Sequence, residues 1–119
     1  MEKLTSQEEL VMLLIWEKGE GTIREYHAMS EEPQMPYTTF ASIVKNLHRK
    51  NYLSMRRIGT TYLCKPKIVE VAYKSHYMSG FIRNYFQNSY KEMVSFFAKE
   101  EKLSAEDLED ILKIIDKQK

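Results

Sequence analysis

The chain has 119 residues, 43% of them hydrophobic and 12% aromatic, with 18 Lys and Arg against 17 Asp and Glu. That length holds one domain, or a small domain plus an oligomerisation element, and this hydrophobic content excludes intrinsic disorder. A single cysteine, Cys64, excludes an intramolecular disulfide and a multi-cysteine metal site, and reads as a small apolar strand residue.

No apolar run is long enough to span a bilayer, and residues 1–7 are polar rather than a secretory leader, so a cytoplasmic protein is expected. The near-neutral total is an average over segregated blocks. Residues 1–32 hold eight acids and three bases, and residues 99–119 hold seven acids and five bases. Between them, residues 33–69 contain no Asp or Glu and seven bases: Lys45, Arg49, Lys50, Arg56, Arg57, Lys65 and Lys67. A block that excludes carboxylates fits a surface facing a polyanion, because a carboxylate there would repel phosphate.

The first predicted helix opens on a capping box, either Thr5 with Glu8 or Ser6 with Glu9, and Gly19 marks its end. Leu10, Val11, Leu13, Leu14 and Trp16 make it apolar enough to predict burial on more than one side, with Trp16 in the core. Gly21 and Thr22 open a second helix, with Thr22 as N-cap and Glu25 as its partner. Ile23, Tyr26 and Met29 give it a buried stripe, and residues 30–36, with two prolines, form a turn.

A third helix is predicted over about residues 38–50, with Phe40, Ile43, Val44 and Leu47 on its apolar face. Thr38, Thr39, Ser42, Lys45, Asn46 and Arg49 lie on the other face, where short hydroxylated side chains allow close approach to a groove. Leu53, Met55, Ile58, Tyr62 and Cys64 then mark two short strands about the turn Gly59-Thr60. Three helices followed by a hairpin are the order of a winged helix-turn-helix, in which the third helix enters the major groove and the wing touches phosphates. Arg56, Arg57, Lys65 and Lys67 fall on or beside the wing.

After Pro66 the chain becomes aromatic. Residues 68–87 read as a long helix with Tyr73, Tyr77, Phe81, Tyr85 and Phe86, and residues 90–98 continue the helical pattern. A last helix is capped by Ser104 with Asp107 and repeats Leu108, Ile111, Leu112 and Ile115 at helical spacing. A second copy of the chain is the economical cover for these faces.

The expected fold is mainly α with a small β-hairpin: a winged-helix DNA-binding domain over residues 1–67 and a helical dimerisation region over residues 68–119. The expected DNA-binding residues are Thr38, Thr39, Ser42, Lys45, Asn46, Arg49, Arg56, Arg57 and Lys67. The expected dimer contacts are Tyr77, Phe81, Tyr85, Leu108, Ile111 and Ile115. Two other readings stay open, a winged helix that binds protein and a sensor whose aromatic residues 73–97 line a ligand site. His27, His48 and His76 are scattered, the paired acids are adjacent rather than facing, and the four glycines are isolated. No cofactor, no metal and no enzymatic activity are expected.

Several segments belong together: Leu4-Thr5 with Glu9, Val11-Met12 and Leu14-Ile15-Trp16; then Thr22-Ile23-Arg24-Glu25; then Tyr37-Thr38-Thr39-Phe40; then residues 47–53, Gly59 with Tyr62, and residues 97–104. In this order and spacing they resemble the penicillinase-repressor family of bacterial winged-helix regulators (BlaI/MecI type). The resemblance implies a homodimer that represses genes by occupying palindromic operator DNA. It also implies release when a membrane-bound sensor metalloprotease signals and the C-terminal region is cut. Well-known members carry Asn-Phe at the cut, and the corresponding pair here is Phe96-Phe97. The copper-responsive branch carries a C-terminal cysteine cluster, which this chain lacks.

Overall fold

A computed structural model describes residues 1–118. In chain order these form α1 (Ser6–Lys18), β1 (Gly21–Thr22), α2 (Ile23–Ala28), α3 (Tyr37–Arg49), β2 (Leu53–Ile58), β3 (Thr61–Pro66), α4 (Glu70–Phe86), α5 (Tyr90–Lys99) and α6 (Ala105–Lys117). The chain divides into two compact units, Met1–Lys74 and Ser75–Lys119. Lys119, the last residue of the expected dimerisation region, lies outside the described residues.

The first unit is a winged helix. Of the two possible caps for α1, Thr5 with Glu8 is the one that forms: the Glu8 amide donates to Thr5 Oγ1 at 3.1 Å and the Thr5 amide donates to Glu8 Oε1 at 2.8 Å. Thr22 and Glu25 make the same reciprocal pair at α2. The core gathers Val11, Met12 and Ile15 of α1, Tyr26 of α2, Phe40, Val44 and Leu47 of α3, and Leu53 and Cys64 of the sheet.

α3 ends in a Schellman motif. Asn51 takes φ of 67°, its amide donates to the His48 carbonyl, and the Tyr52 amide reaches back to the Leu47 carbonyl at 3.0 Å. The chain reverses there into the wing, β2 and β3, which pair antiparallel from Leu53↔Pro66 to Ile58↔Thr61. Tyr73, at the start of α4, is buried against this unit. Its ring lies 5.2 Å from that of Trp16 and 5.9 Å from that of Tyr52.

Three differences from the sequence expectations stand out. α1 is buried along one stripe only: Leu10 is 62% and Leu13 40% exposed. Six residues of α2 and the α2–α3 turn are too few to wrap its second side. Trp16 is half-buried rather than central, because its indole Nε1–H donates to the Ile68 carbonyl at 2.8 Å and so sits at the edge of the core. The sheet also has a third strand. Gly21 pairs with Cys64 and Thr22 with Leu63, giving the order β1-β3-β2. Gly21 is required by close approach: a Cβ there would meet Lys18 Cε at 2.8 Å and the Tyr26 ring at 3.1 Å.

In the second unit, α5 is capped by Ser89 and α6 by the reciprocal pair of Ser104 and Asp107. Ile82 is buried, whereas Tyr85, Phe96, Ile111, Leu112, Ile114 and Ile115 are exposed. No helix among the described residues is long and apolar enough to cross a membrane.

Candidate nucleic-acid interface

The sequence of α3 sorts its side chains cleanly. Phe40, Val44 and Leu47 are buried, while Thr38, Thr39, Ser42, Lys45, His48 and Arg49 are exposed. The helix starts on Pro36 with no side-chain cap and no acid in its first turn, so none of its own residues there offsets its N-terminal partial charge. The entry is held by His27. Its Nε2–H donates to the Met35 carbonyl at 2.8 Å and its ring packs edge-on against Tyr37 and Phe40. The Arg24 guanidinium stacks 5.2 Å from the centre of the Tyr37 ring, which brings a base from the acidic first block to the start of α3.

Asn46 differs from the rest of that face. It is half-buried, and both ends of its amide are engaged within the chain. Its Nδ2 donates to Glu8 Oε2, and its Oδ1 accepts from Arg49 Nε at 2.9 Å. Glu8 is only 3% exposed, and its Oε1 also accepts from Lys50 Nζ at 2.7 Å. Burial alone would push the Glu8 carboxyl up. The hydrogen bonds from Lys50, the Thr5 amide and Asn46, with the charge of Lys50, outweigh it and hold the group at about 2 against an ordinary 4.5. Lys50, one of the bases of the acid-free block, is thereby matched inside the fold and also donates to the Lys3 carbonyl at 3.0 Å.

In the wing, Arg56 and Arg57 are neighbours in sequence and so point to opposite faces of the strand. The register places Arg56 opposite Leu63 and Arg57 opposite Tyr62. Arg56 shares an open depression of about 230 Å³ with Ser54, Leu63, Lys65 and Glu20. Arg57 lies on the other face near the tip, where its Nε donates to the Gly59 carbonyl at 3.1 Å. Lys67, just past β3, is exposed. The Cys64 thiol faces the core, where burial pushes it up to about 11 and keeps it protonated.

The expected interface residues Thr38, Thr39, Ser42, Lys45 and Arg49 thus share one exposed helix face, and Arg57 and Lys67 are exposed beside the wing. Sequence reasoning passed over Glu8 and Arg24, since one reads as a helix cap and the other sits among acids. The period-two alternation of strands was the available signal for separating Arg56 from Arg57. In the second unit, Tyr77 and Leu108 are half-buried, while Phe81, Tyr85, Ile111 and Ile115 are exposed. Phe96 and Phe97 lie within α5, where their carbonyls accept from the amides of Glu100 at 3.0 Å and Lys102 at 2.9 Å.

The family model for Penicillinase repressor matches residues 4–117. The chain belongs to that family. A solved structure of an organohalide-sensing transcriptional regulator in its ligand-free form superposes with a TM-score of 0.51 at 16% identity. That alignment covers 98% of this chain and 62% of the other, and it supports the winged-helix fold alone. No curated protein matches the chain.

Proposed function

We propose that this penicillinase-repressor family member is a homodimer that represses transcription by binding palindromic duplex DNA, with α3 in the major groove and the wing on adjacent phosphates. The observation that carries this reading is the exposed face of α3. It presents Thr38, Thr39, Ser42, Lys45 and Arg49 with no acid in residues 33–69, and the Glu8 carboxylate that meets Asn46 is buried and paired with Lys50. Short hydroxylated residues near the helix start suit base edges, and the bases further along suit phosphates. Residues 1–67 act as the DNA-binding part and residues 68–119 as the dimerising part, through Tyr77, Phe81, Tyr85, Leu108, Ile111 and Ile115. Linking two weakly binding domains raises the local concentration of the second, so occupancy depends steeply on dimerisation.

Relief would follow from a cut between Phe96 and Phe97 by a membrane-bound sensor metalloprotease, since it separates α6 from the chain without touching a DNA-facing residue. The test is binding to a randomised duplex library over a salt series. The expected result is a selected palindrome bound more weakly as salt rises, whereas salt-independent binding or none sinks the reading.

A further inference from the structure

Glu8 is the one buried charged side chain among the described residues, and capping α1 uses only part of it. Its Oε1 takes the Thr5 amide and Lys50 Nζ, and its Oε2 takes the Asn46 amide from the helix that faces DNA in the reading above. Asn46 in turn offers Oδ1 to Arg49 Nε. Resting on that DNA reading, we propose that Glu8 and Asn46 are positioning residues: Glu8 fixes the Asn46 amide, and Asn46 aims the Arg49 guanidinium at a phosphate.

The chemistry of each group supports this. A carboxylate only accepts, so the Asn46 atom facing it must be the NH2, and the carbonyl oxygen is thereby turned towards Arg49. Arg49 gives one donor, Nε–H, to that oxygen. Its two NH2 groups stay available as a planar fork matched to a phosphate. Arg57 is held in the same way, its Nε on the Gly59 carbonyl. Lys50, whose charge Glu8 satisfies, does not join the phosphate contacts. Asn46 is therefore removed from base reading, and Thr38, Thr39 and Ser42 remain as the residues short enough and exposed enough to meet base edges.

The experiment uses the full chain and a duplex selected by the wild type. N46A, R49A, the double variant and E8A are compared for affinity, salt slope and base preference. The expected result is an equal loss for N46A and R49A of about tenfold, as for a charge-assisted contact, and a smaller loss for E8A, which also frees Lys50. The slope of log affinity against log salt should fall by about 0.9 per chain in N46A and R49A. The double variant should bind no worse than R49A, and base preference should stay unchanged in all.

Losses that add in the double variant, or an altered base preference in N46A, overturn the proposal while leaving the DNA reading intact. A wild-type chain that binds no duplex overturns both. Because E8A and N46A also disturb the fold, a second measurement uses the wild type alone. The Arg49 Nε–H signal should exchange slowly with water, free and DNA-bound, and exchange at the rate of an untethered guanidinium overturns the proposal.

Discussion

Glu8 caps the first turn of α1 and is also the buried counter-ion of Lys50, whose own side chain is 11% exposed. Its carboxyl is held at about 2 in the folded chain against 4.5 ordinarily. A depressed acid stabilises the fold above its unfolded value and loses that contribution as the pH falls through its folded value. Stability should therefore rise between about pH 2 and pH 4.5 by an amount on the order of 3 kcal/mol from this group. Unfolding of E8Q across that range should show a flatter curve, and identical curves would assign the acid sensitivity to other groups. Asn51 is a second residue with a definite role. At φ of 67° it occupies the left-handed position of the α3 Schellman motif. N51V should cost about 1–2 kcal/mol in denaturant unfolding and N51G only a few tenths either way; equal effects would mean that the turn relaxes. The two wing arginines should separate as well. Arg56 shares its depression with Glu20, which repels phosphate, and Arg57 does not. R57A is expected to weaken duplex binding and lower the salt slope more than R56A does, and the reverse order would put the DNA on the Glu20 side of the wing.

At the scale of elements, the helices were legible wherever a cap and a period were both local. Thr22 with Glu25 and Ser104 with Asp107 each lie within one turn, so sequence spacing suffices to find them. β1 was not legible, because two residues have no period of their own. Gly21 and Thr22 become a strand only by pairing with Cys64 and Leu63, about forty positions away, a long-range contact of the kind that defeats local propensity. The burial of α1 was misjudged for a related reason, since Leu10 and Leu13 show their apolar character in sequence but not which neighbours exist to cover them. α6 presents the opposite case: Ile111, Leu112, Ile114 and Ile115 are exposed on one amphipathic helix. If they form the dimer contact, I111E with I115E should yield a folded monomer by sedimentation and lower operator affinity, each buried isoleucine being worth about 1.5–3 kcal/mol. A double variant that stays dimeric would move the contact elsewhere. The pair Phe96-Phe97 sits in the last turns of α5, with both carbonyls hydrogen-bonded. A protease needs that stretch extended, so the folded chain should resist cutting there until α5 unwinds, and rapid cleavage under native conditions would show that α5 opens readily.

For the whole molecule, the quantity that tests the proposed DNA binding is the number of phosphates neutralised. On that proposal Lys45, Arg49, Arg57 and Lys67, with part of Arg56, would give a dimer about six to ten phosphate contacts, hence a slope of log affinity against log salt of roughly −5 to −9. Lys50 lies outside that count because Glu8 holds it, and a slope well beyond −9 would mean that the pair opens on DNA. The sequence by itself determined the order of helices and wing, the acid-free segment and the membership that the match over residues 4–117 records. Each of these is carried by patterns a few residues long or by simple composition. Only the tertiary structure decided which bases face outward. Lys50 and Lys45 look alike in sequence, as do Arg56 and Arg57. Their difference lies in what stands opposite them: a carboxylate from α1 forty-two positions earlier in one case, and the alternation and register of a strand in the other. Charge is a property of the residue, whereas its availability to a partner is set by the neighbours that folding brings to it.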